Sequence, residues 1–264
     1  MQEINFTKMV ASGNDFVVIE RSQNPTINSP RILARRICDR KFGVGADGLL
    51  LLEKSKIANV KMRIFNPDGS EAQMCGNGAR CSVLYIGRRN AKLETKAGII
   101  QSQLKWDSVK IRLTNPLNIK LDFPIKVNKR NLKANFIDIG VPHAVIFVDG
   151  LDEIHVSDIG RAIRNHKKFS PRGANVDFVE ILGKDLIGIR TYERGVEDET
   201  LACGTGSVAS SLIFALKTDT GNKINVHTKS REILKVYFDR KDNKFTDVWL
   251  EGKAKIVYKG EYYV

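Results

Sequence analysis

Two cysteines with the same surroundings are the residues of this chain best suited to chemistry. Cys75 and Cys203 each stand directly before a Gly-x-Gly run that opens a predicted helix. A helix N-terminus offers unpaired N–H groups and a partial positive charge, which favour a thiolate and can hold a carboxylate. The glycines let a ligand approach the backbone closely. One such cysteine would be incidental, but a matched pair predicts a substrate carbon held between two thiols.

That arrangement suits inversion at a stereocentre. One thiolate removes the α-proton from one face of the carbon, and the opposing thiol donates a proton to the other face. Helix-end N–H groups around the α-carboxylate would stabilise the charge that develops on the carbanion. We therefore predict an amino-acid epimerase in which Cys75 and Cys203 are the paired acid and base.

The matched cysteines belong to an internal duplication. Four short segments recur in the same order, the first three with a spacing of 127 residues and the cysteine segment with a spacing of 128. They are residues 13–19 and 140–146, 40–42 and 167–169, 62–65 and 189–192, and 75–79 and 203–207. The repeats predict two halves that share a fold, residues 1–114 and 115–253, with a boundary near Asn115-Pro116.

The elements that must position the cysteines alternate between short strands and a few helices. Two helices follow the cysteines directly, Gly76–Ile86 and Gly204–Lys217, and the second is apolar around most of its surface, which predicts burial. Two further helices are predicted at residues 31–40, with Ser29 as N-cap, and at residues 158–165. Runs rich in Val, Ile and Phe predict strands at 16–19, 49–52, 60–65, 109–113, 136–139, 145–148, 177–181, 187–192, 234–238 and 248–250. Each half is therefore predicted to be a mostly antiparallel sheet wrapped around one central helix, an α/β (α+β) fold.

Composition excludes several classes of protein. Apolar residues make up 42% and charged residues 28% of the 264 residues, which is typical of a globular chain. No apolar run is long enough to span a membrane, and the N-terminus lacks the features of a signal peptide, so we expect a cytoplasmic protein with reduced thiols. The net charge of +13 is spread over scattered basic pairs without a recognition motif, so a non-catalytic nucleic-acid-binding protein is a distant alternative.

The remaining cysteines and histidines carry no predicted chemistry. Cys38 and Cys81 are expected to be buried and inert, and no His/Cys spacing suits a metal or a disulfide framework. His155, His166 and His227 are interpreted as structural. Residues 43–48 match GxGxxG, but they follow a helix and lead into a strand, the reverse of the order that dinucleotide binding requires.

Four motifs together resemble the diaminopimelate epimerase family over nearly the whole chain. They are GNDF at 13–16, NPDGSEAQMCGNG at 66–78, YERG at 192–195 and CGTG at 203–206. The resemblance implies two pseudo-symmetric domains with the active site in the cleft between them, and a closing strand, residues 254–264, that returns to the first domain. It also implies interconversion of LL- and meso-diaminopimelate, a precursor of lysine and peptidoglycan, without pyridoxal phosphate, metal or other cofactor.

The resemblance assigns roles by motif position. It implies that Cys75 and Cys203 are the acid/base residues, and that His143 and Glu193 assist them. The groups that bind the reacting carboxylate are Gly76, Asn77, Gly204 and Thr205, and the further substrate contacts are Asn14, Asn66, Asn175, Glu193 and Arg194. Tyr258 corresponds to a tyrosine that contributes to a homodimer contact, so a homodimer is expected, without nucleic-acid or membrane partners.

Three departures from the family pattern concern the far end of the substrate. Gly48 stands where many members carry glutamine, and Val141 stands where they carry asparagine. The stretch from Arg194 to Cys203 is also one residue longer than the commoner spacing. Either another residue substitutes or the substrate range is broader, which leaves a related cofactor-independent racemase of another amino acid as the alternative.

Overall fold

The structure is a computed structural model that describes residues 3–128 and 130–264, so Met1 and Gln2 of the predicted first half lie outside the described residues. The described chain divides into two compact units, one ending at Ile111 and completed by Gly252–Val264, the other Arg112–Glu251. Among the described residues, no helix is long and apolar enough to cross a membrane.

The first unit has nine strands and two α-helices among its described residues. In chain order they are β1 (Glu3–Ala11), β2 (Asn14–Glu20), α1 (Pro30–Ile37), β3 (Gly48–Glu53), β4 (Val60–Phe65), β5 (Glu71–Ala72), α2 (Gly76–Ile86), β6 (Asn90–Thr95), β7 (Gly98–Lys105) and β8 (Ser108–Arg112), with the last strand (Lys255–Tyr263) returning from the end of the chain. β1 pairs with that last strand and with β2, both antiparallel. β2 and β3 are parallel, β3 and β4 antiparallel, β4 and β6 parallel, and β6, β7 and β8 antiparallel.

The second unit follows the same plan. Its elements are β9 (Leu117–Val127), β10 (Arg130–Asp138), β11 (Pro142–Phe147), α3 (Val156–Arg164), β12 (Asn175–Gly183), β13 (Leu186–Glu193), β14 (Asp198–Thr200), α4 (Gly204–Lys217), β15 (Lys223–Thr228), β16 (Ile233–Lys241) and β17 (Lys244–Lys253); the returning strand of the first unit is β18. β10 pairs antiparallel with β9 and β11, and β11 is parallel to β12. β12 and β13 are antiparallel, β13 and β15 parallel, and β15, β16 and β17 antiparallel.

The pairing order is therefore the same in the two units, with β18 in the first unit taking the part that β9 takes in the second. α2 lies between β5 and β6 in the chain, and α4 occupies the corresponding place between β14 and β15. This correspondence is what a duplicated sequence requires. The predicted α+β fold, with mostly antiparallel strands and few helices, is confirmed.

In each unit the strands surround one helix. α2 contacts β1, β2, β3, β4, β6, β7 and β18, and α4 contacts β10, β11, β12, β13, β15 and β16. Ten consecutive residues of α4, Gly206 to Ala215, are buried, because strands of the second unit contact this helix on all sides; they are apolar or small, three of them serines. Strands β2 and β3 are also almost continuously buried, which explains why their sequences FVVI and LLLL do not alternate with polar residues.

Two predicted helix boundaries differ from those observed. The first helix was expected at residues 31–40, but α1 ends at Ile37, because the Asp39 carboxylate accepts hydrogen bonds from the N–H groups of Lys41 and Phe42 and starts a turn. Ser29 is the N-cap residue of α1, but its side chain makes no capping hydrogen bond. The helix expected at 158–165 is α3, Val156–Arg164, which begins two residues earlier and ends one residue earlier than expected.

Candidate functional site

The first candidate half-site lies at the start of α2. Cys75 is the N-cap residue, with extended backbone angles, and its Sγ lies 3.9 Å from the Oδ1 atom of Asn14. Asn14 Nδ2 donates a hydrogen bond of 2.7 Å to Asp47 Oδ2, which turns the amide so that its carbonyl oxygen faces the sulfur. The thiol of Cys75 and the predicted substrate contact Asn14 are thus brought together within one unit.

A charged cluster holds the Asn14 turn in place. The Arg40 guanidinium contacts both Asp15 and Asp47, at 2.8 and 2.7 Å, and Lys8 contacts Asp15 at 2.7 Å. Burial alone would raise the pKa of the Asp15 carboxyl, but hydrogen bonds from Arg40 and Lys8 hold it well below its usual range. Sequence reasoning missed Asp47, whose only signal was its place just before a buried strand.

Asn77, the predicted carboxylate contact, is held by a buried arginine. Its Oδ1 accepts a hydrogen bond of 2.6 Å from Arg80 Nη2, which also donates to Ser12 Oγ at 2.8 Å. Arg80 is fully buried and lies one turn after Asn77 on α2. Because the carbonyl oxygen is occupied by Arg80, the amide nitrogen of Asn77 is the part left to meet a carboxylate.

Two further positions of the first unit belong to the predicted substrate contacts or to the departures from the family pattern. Asn66 is exposed in a tight turn after β4, where its Nδ2 donates to Ser70 Oγ at 2.9 Å. Gly48 is buried at the start of β3, and a Cβ there would lie 3.1 Å from the carbonyl oxygen of Phe65 and 3.4 Å from the Phe16 ring. The departure at Gly48 therefore has a packing reason, since a longer side chain would need the neighbouring strand to move.

The second candidate half-site lies at the start of α4. Cys203 is the N-cap residue, and its Sγ accepts a hydrogen bond from the backbone N–H of Gly206 at 3.4 Å. The Thr205 hydroxyl lies 3.5 Å from the same sulfur. The cysteine is almost completely buried. As at Cys75, a thiol occupies the cap position of the helix that its sheet surrounds.

The electrostatics of Cys203 differ from the sequence-based expectation of a thiolate favoured by the helix start. Burial raises the pKa of this thiol well above its usual value, and the carboxylates of Glu193 and Asp177 raise it further. The Thr205 hydroxyl and the Gly206 N–H lower it, but by less. Desolvation and negative neighbours outweigh the helix N-terminus, so the expectation of a lowered pKa was wrong for Cys203, where the protonated thiol is the favoured form.

Glu193 and Arg194 follow one another at the end of β13. Burial raises the pKa of the Glu193 carboxyl, while the Thr200 hydroxyl and His143 partly oppose that rise. The backbone N–H of Arg194 donates to Asn175 Oδ1 at 2.8 Å, and its Nη1 donates to the carbonyl oxygen of Arg172 at 3.2 Å. The predicted site residues Glu193, Arg194 and Asn175 are therefore neighbours.

His143 is fully buried on β11, and its Nδ1 lies 2.7 Å from Asp177 Oδ2. Its Nε2 lies 3.4 Å from Asn175 Nδ2, and the Thr191 hydroxyl donates to Asp177 Oδ1 at 2.8 Å. Sequence reasoning missed Asp177. Its signal was its spacing of two from Asn175, which puts both side chains on one face of β12.

The second glycine of the Cys203 motif is required by this carboxylate. A Cβ at Gly206 would overlap Asp177 Oδ1 and lie 3.2 Å from the Cβ of Cys203. Gly206→Ala should therefore lower the free energy of unfolding by about 1–3 kcal/mol, the usual cost of overpacking, as measured by urea denaturation. Gly183→Ala is the matched control, because a Cβ there meets only Leu186, at 3.6 Å. A Gly206→Ala protein as stable as the Gly183→Ala protein would contradict this packing argument.

The remaining predicted residues have simpler surroundings. Gly76 and Gly204 are the first residues of α2 and α4, and Tyr258 is about half exposed on β18, with its ring edge-on to Phe6. Val141 is half-buried just before β11. No disulfide joins the four cysteines, and no group of three or more His, Cys, Asp or Glu side chains suited to a metal ion occurs among the described residues.

The two other cysteines are buried, as expected. Burial raises the pKa of the Cys38 thiol to about 12, which makes it a poor nucleophile near neutral pH. Cys81 lies on the buried face of α2.

Comparisons with known proteins agree with this architecture. The family model of diaminopimelate epimerase matches residues 6–116 and 135–257. Curated diaminopimelate epimerases from Caldanaerobacter subterraneus subsp. tengcongensis and Methanocella arvoryzae are 38% and 41% identical, over 98% and 99% of this chain and 99% and 97% of theirs.

Solved structures share the fold at low identity. A Bacillus anthracis phenazine biosynthesis protein of the PhzF family superposes with a TM-score of 0.75 at 18% identity, with complete coverage of both chains. An Agrobacterium vitis hydroxyproline epimerase superposes with a TM-score of 0.72 at 14% identity, covering 99% of this chain and 91% of that one. From the family match and the extent of its identity to the curated relatives, the chain belongs to the diaminopimelate epimerase family of isomerases.

Proposed function

We propose that this chain interconverts LL- and meso-diaminopimelate by a two-cysteine proton transfer, serving the synthesis of lysine and peptidoglycan precursors. One observation carries the proposal. Cys75 and Cys203 occupy the N-cap positions of corresponding helices in two units with the same strand order. A duplicated helix start with a thiol in both copies suits a reaction that needs one acid and one base on opposite faces of a carbon.

The reaction proceeds by proton transfers alone. One sulfur, as thiolate, takes the α-proton and becomes a thiol; the opposite thiol gives its proton to the other face of the carbanion and becomes a thiolate. The first-turn N–H groups of α2 and α4, with Asn77 and Thr205, hold the α-carboxylate and stabilise the developing charge. Every step uses side chains and backbone N–H groups of this protein, and no cofactor takes part in the proposed reaction.

The resting state of Cys203 supports a proton-donor role at the outset. Its thiol is buried and faces two carboxylates, so it keeps its proton until a base accepts it. Glu193 and His143 are the assisting groups that lie in the same unit as this thiol, and Asn175 and Arg194 adjoin them. Asn14 and Asn66 belong to the unit that carries Cys75, where they would contact the rest of the substrate.

A racemase acting on another amino acid is the second candidate. The close packing around Gly48 favours it, because the position leaves little room for the glutamine that many family members use. Val141 likewise offers no amide to a distal amino-acid group. In this alternative the two thiols keep their roles and only the substrate changes.

The proposal extends to assembly and location. Ile256, Val257 and Tyr258 are three consecutive exposed residues of β18, which supports this strand as the contact of a homodimer. A second copy of the chain and the amino-acid substrate are the partners proposed, with neither nucleic acid nor membrane among them, and the enzyme is placed in the cytoplasm.

Solvent-deuterium incorporation tests the reaction and the substrate together. The protein is incubated in deuterated buffer with LL-diaminopimelate, and with glutamate, histidine and proline in parallel. We expect meso-diaminopimelate carrying one solvent deuterium at the inverted α-carbon. Faster deuterium exchange into one of the other amino acids would show that this amino acid, and not diaminopimelate, is the substrate. No exchange into any of them, with salt-sensitive binding of nucleic acid instead, would favour the non-catalytic alternative.

A further inference from the structure

A hydrogen-bonded chain of fixed direction runs through the second unit. It starts at the backbone N–H of Arg194, which donates to Asn175 Oδ1 at 2.8 Å. The Nδ2 group of Asn175 lies 3.4 Å from Nε2 of His143, and Nδ1 of His143 lies 2.7 Å from Asp177 Oδ2. Thr191 closes the chain, because its hydroxyl donates to the other carboxylate oxygen of Asp177 at 2.8 Å.

The two ends of this series of hydrogen bonds decide which ring nitrogen of His143 carries the proton. A backbone N–H only donates, so the oxygen of the Asn175 amide faces Arg194 and its NH₂ group faces Nε2 of His143. An ionised carboxylate only accepts, so Asp177 requires a proton on Nδ1. Both neighbours therefore favour the same tautomer of His143, with the proton on Nδ1 and a lone pair on Nε2.

We propose that Asp177 is a positioning residue that fixes His143 as a proton acceptor at Nε2. His143 and Asp177 are both completely buried, so water cannot take the place of a lost partner, and the opposite tautomer would set a lone pair against a carboxylate. The proposal rests on the proposed function, in which His143 assists a thiol that begins the reaction protonated. An imidazole with its lone pair at Nε2 can accept such a proton in place of the long hydrogen bond from Asn175; one with hydrogen on Nε2 cannot.

The residues packed around Asp177 hold its carboxylate in one position. The carboxylate lies against the first turn of α4, where only a glycine fits at position 206. The charged and titratable groups that face the pair are Glu193 and Cys203. A carboxylate is costly to bury here, and it raises the pKa of Cys203, so the simplest account of its presence is the hydrogen bond that it accepts from Nδ1 of His143.

Nitrogen-15 NMR of the resting full-length protein tests the tautomer directly. Long-range proton–nitrogen correlations distinguish a protonated ring nitrogen from one with a lone pair, and the signals of His143 are assigned by their loss in His143→Gln. We expect the wild-type protein to carry the proton on Nδ1. A proton on Nε2 would overturn the proposal, and this measurement needs neither a substrate nor a variant of Asp177.

The kinetic arm compares two carboxylate-to-amide substitutions on the same strand. Asp177→Asn keeps the volume beside Gly206, but its NH₂ group can face Nδ1 and move the proton to Nε2. We expect a mixture of tautomers and a kcat at least about 100-fold lower, with KM changed less than about threefold. Glu180→Gln, which alters a carboxylate that accepts from Gly150 and Leu151, should leave both unchanged.

The kinetic result and the tautomer measurement each decide the positioning role of Asp177 separately. Asp177→Asn with full kcat would overturn the positioning role, whatever the substrate proves to be. If Asp177→Asn does not fold, the wild-type tautomer alone decides the proposal. Because the tautomer is measured without substrate, its failure is distinguishable from failure of the deuterium test.

Discussion

Replacing either Cys75 or Cys203 with alanine should abolish epimerisation, with kcat lower by about 10³-fold or more, because general acid–base groups contribute rate factors of that order. In the proposed mechanism each thiol serves one face of the α-carbon, so the loss of one cannot be compensated by the other. The measurement is conversion of LL- into meso-diaminopimelate by each purified variant, with circular dichroism to show that the fold is retained.

Cys81→Ala is the matched control, because Cys81 lies on the same helix as Cys75 but is buried away from the proposed chemistry. It should lose some stability through the cavity that it creates and keep its turnover. A variant with one remaining thiol that exchanges deuterium at the α-carbon without inverting it would be consistent with the proposed mechanism, because that thiol can act as base on its own face. A Cys75→Ala or Cys203→Ala protein that inverts the centre at the wild-type rate would exclude the two-thiol mechanism.

The sequence predicted the two central helices to the residue because their ends carry strong local signals. α2 begins after Cys75 with glycine and ends at Gly87, whose left-handed backbone terminates the helix. α1 was predicted too long because the side chain of Asp39 ends it, and a basic, amphipathic pattern continued beyond that point. Strand β9 was missed because most of its residues are exposed and carry little hydrophobic pattern.

The candidate site was predictable only where a motif carried it. Arg80 lies one helical turn from Asn77, a local spacing that was not recognised as a contact. Asp47 and Asp177 contact Asn14 and His143, which lie 33 and 34 residues away in the chain, so those contacts arise only from folding. The expected thiolate at Cys203 failed for the same reason. A helix start is visible in the sequence, but the burial and the two carboxylates that outweigh it arise from packing.

Glu193→Gln should have opposite effects on turnover and on the reactivity of Cys203. Removing the carboxylate takes away a negative charge that raises the pKa of the Cys203 thiol, so more thiolate forms at a given pH. We expect Cys203 to be alkylated by iodoacetamide roughly three- to tenfold faster, since one pKa unit is a factor of ten in thiolate. Turnover should nevertheless fall by about 100-fold, because one of the two groups proposed to assist this thiol is lost.

The opposition of these two effects distinguishes a catalytic carboxyl from a structural one. A variant that merely loosened the fold would alkylate Cys38 and Cys81 faster as well, which peptide mass spectrometry resolves from labelling at Cys203. Glu197→Gln is the control in the neighbouring turn, where the carboxylate is exposed and contacts Arg164; it should change neither the alkylation rate nor the turnover appreciably.

Slower alkylation of Cys203 in Glu193→Gln would mean that Glu193 helps to ionise the thiol in the resting protein, contrary to the charge effect expected from its carboxylate. Unchanged turnover would remove Glu193 from the proposed proton transfer.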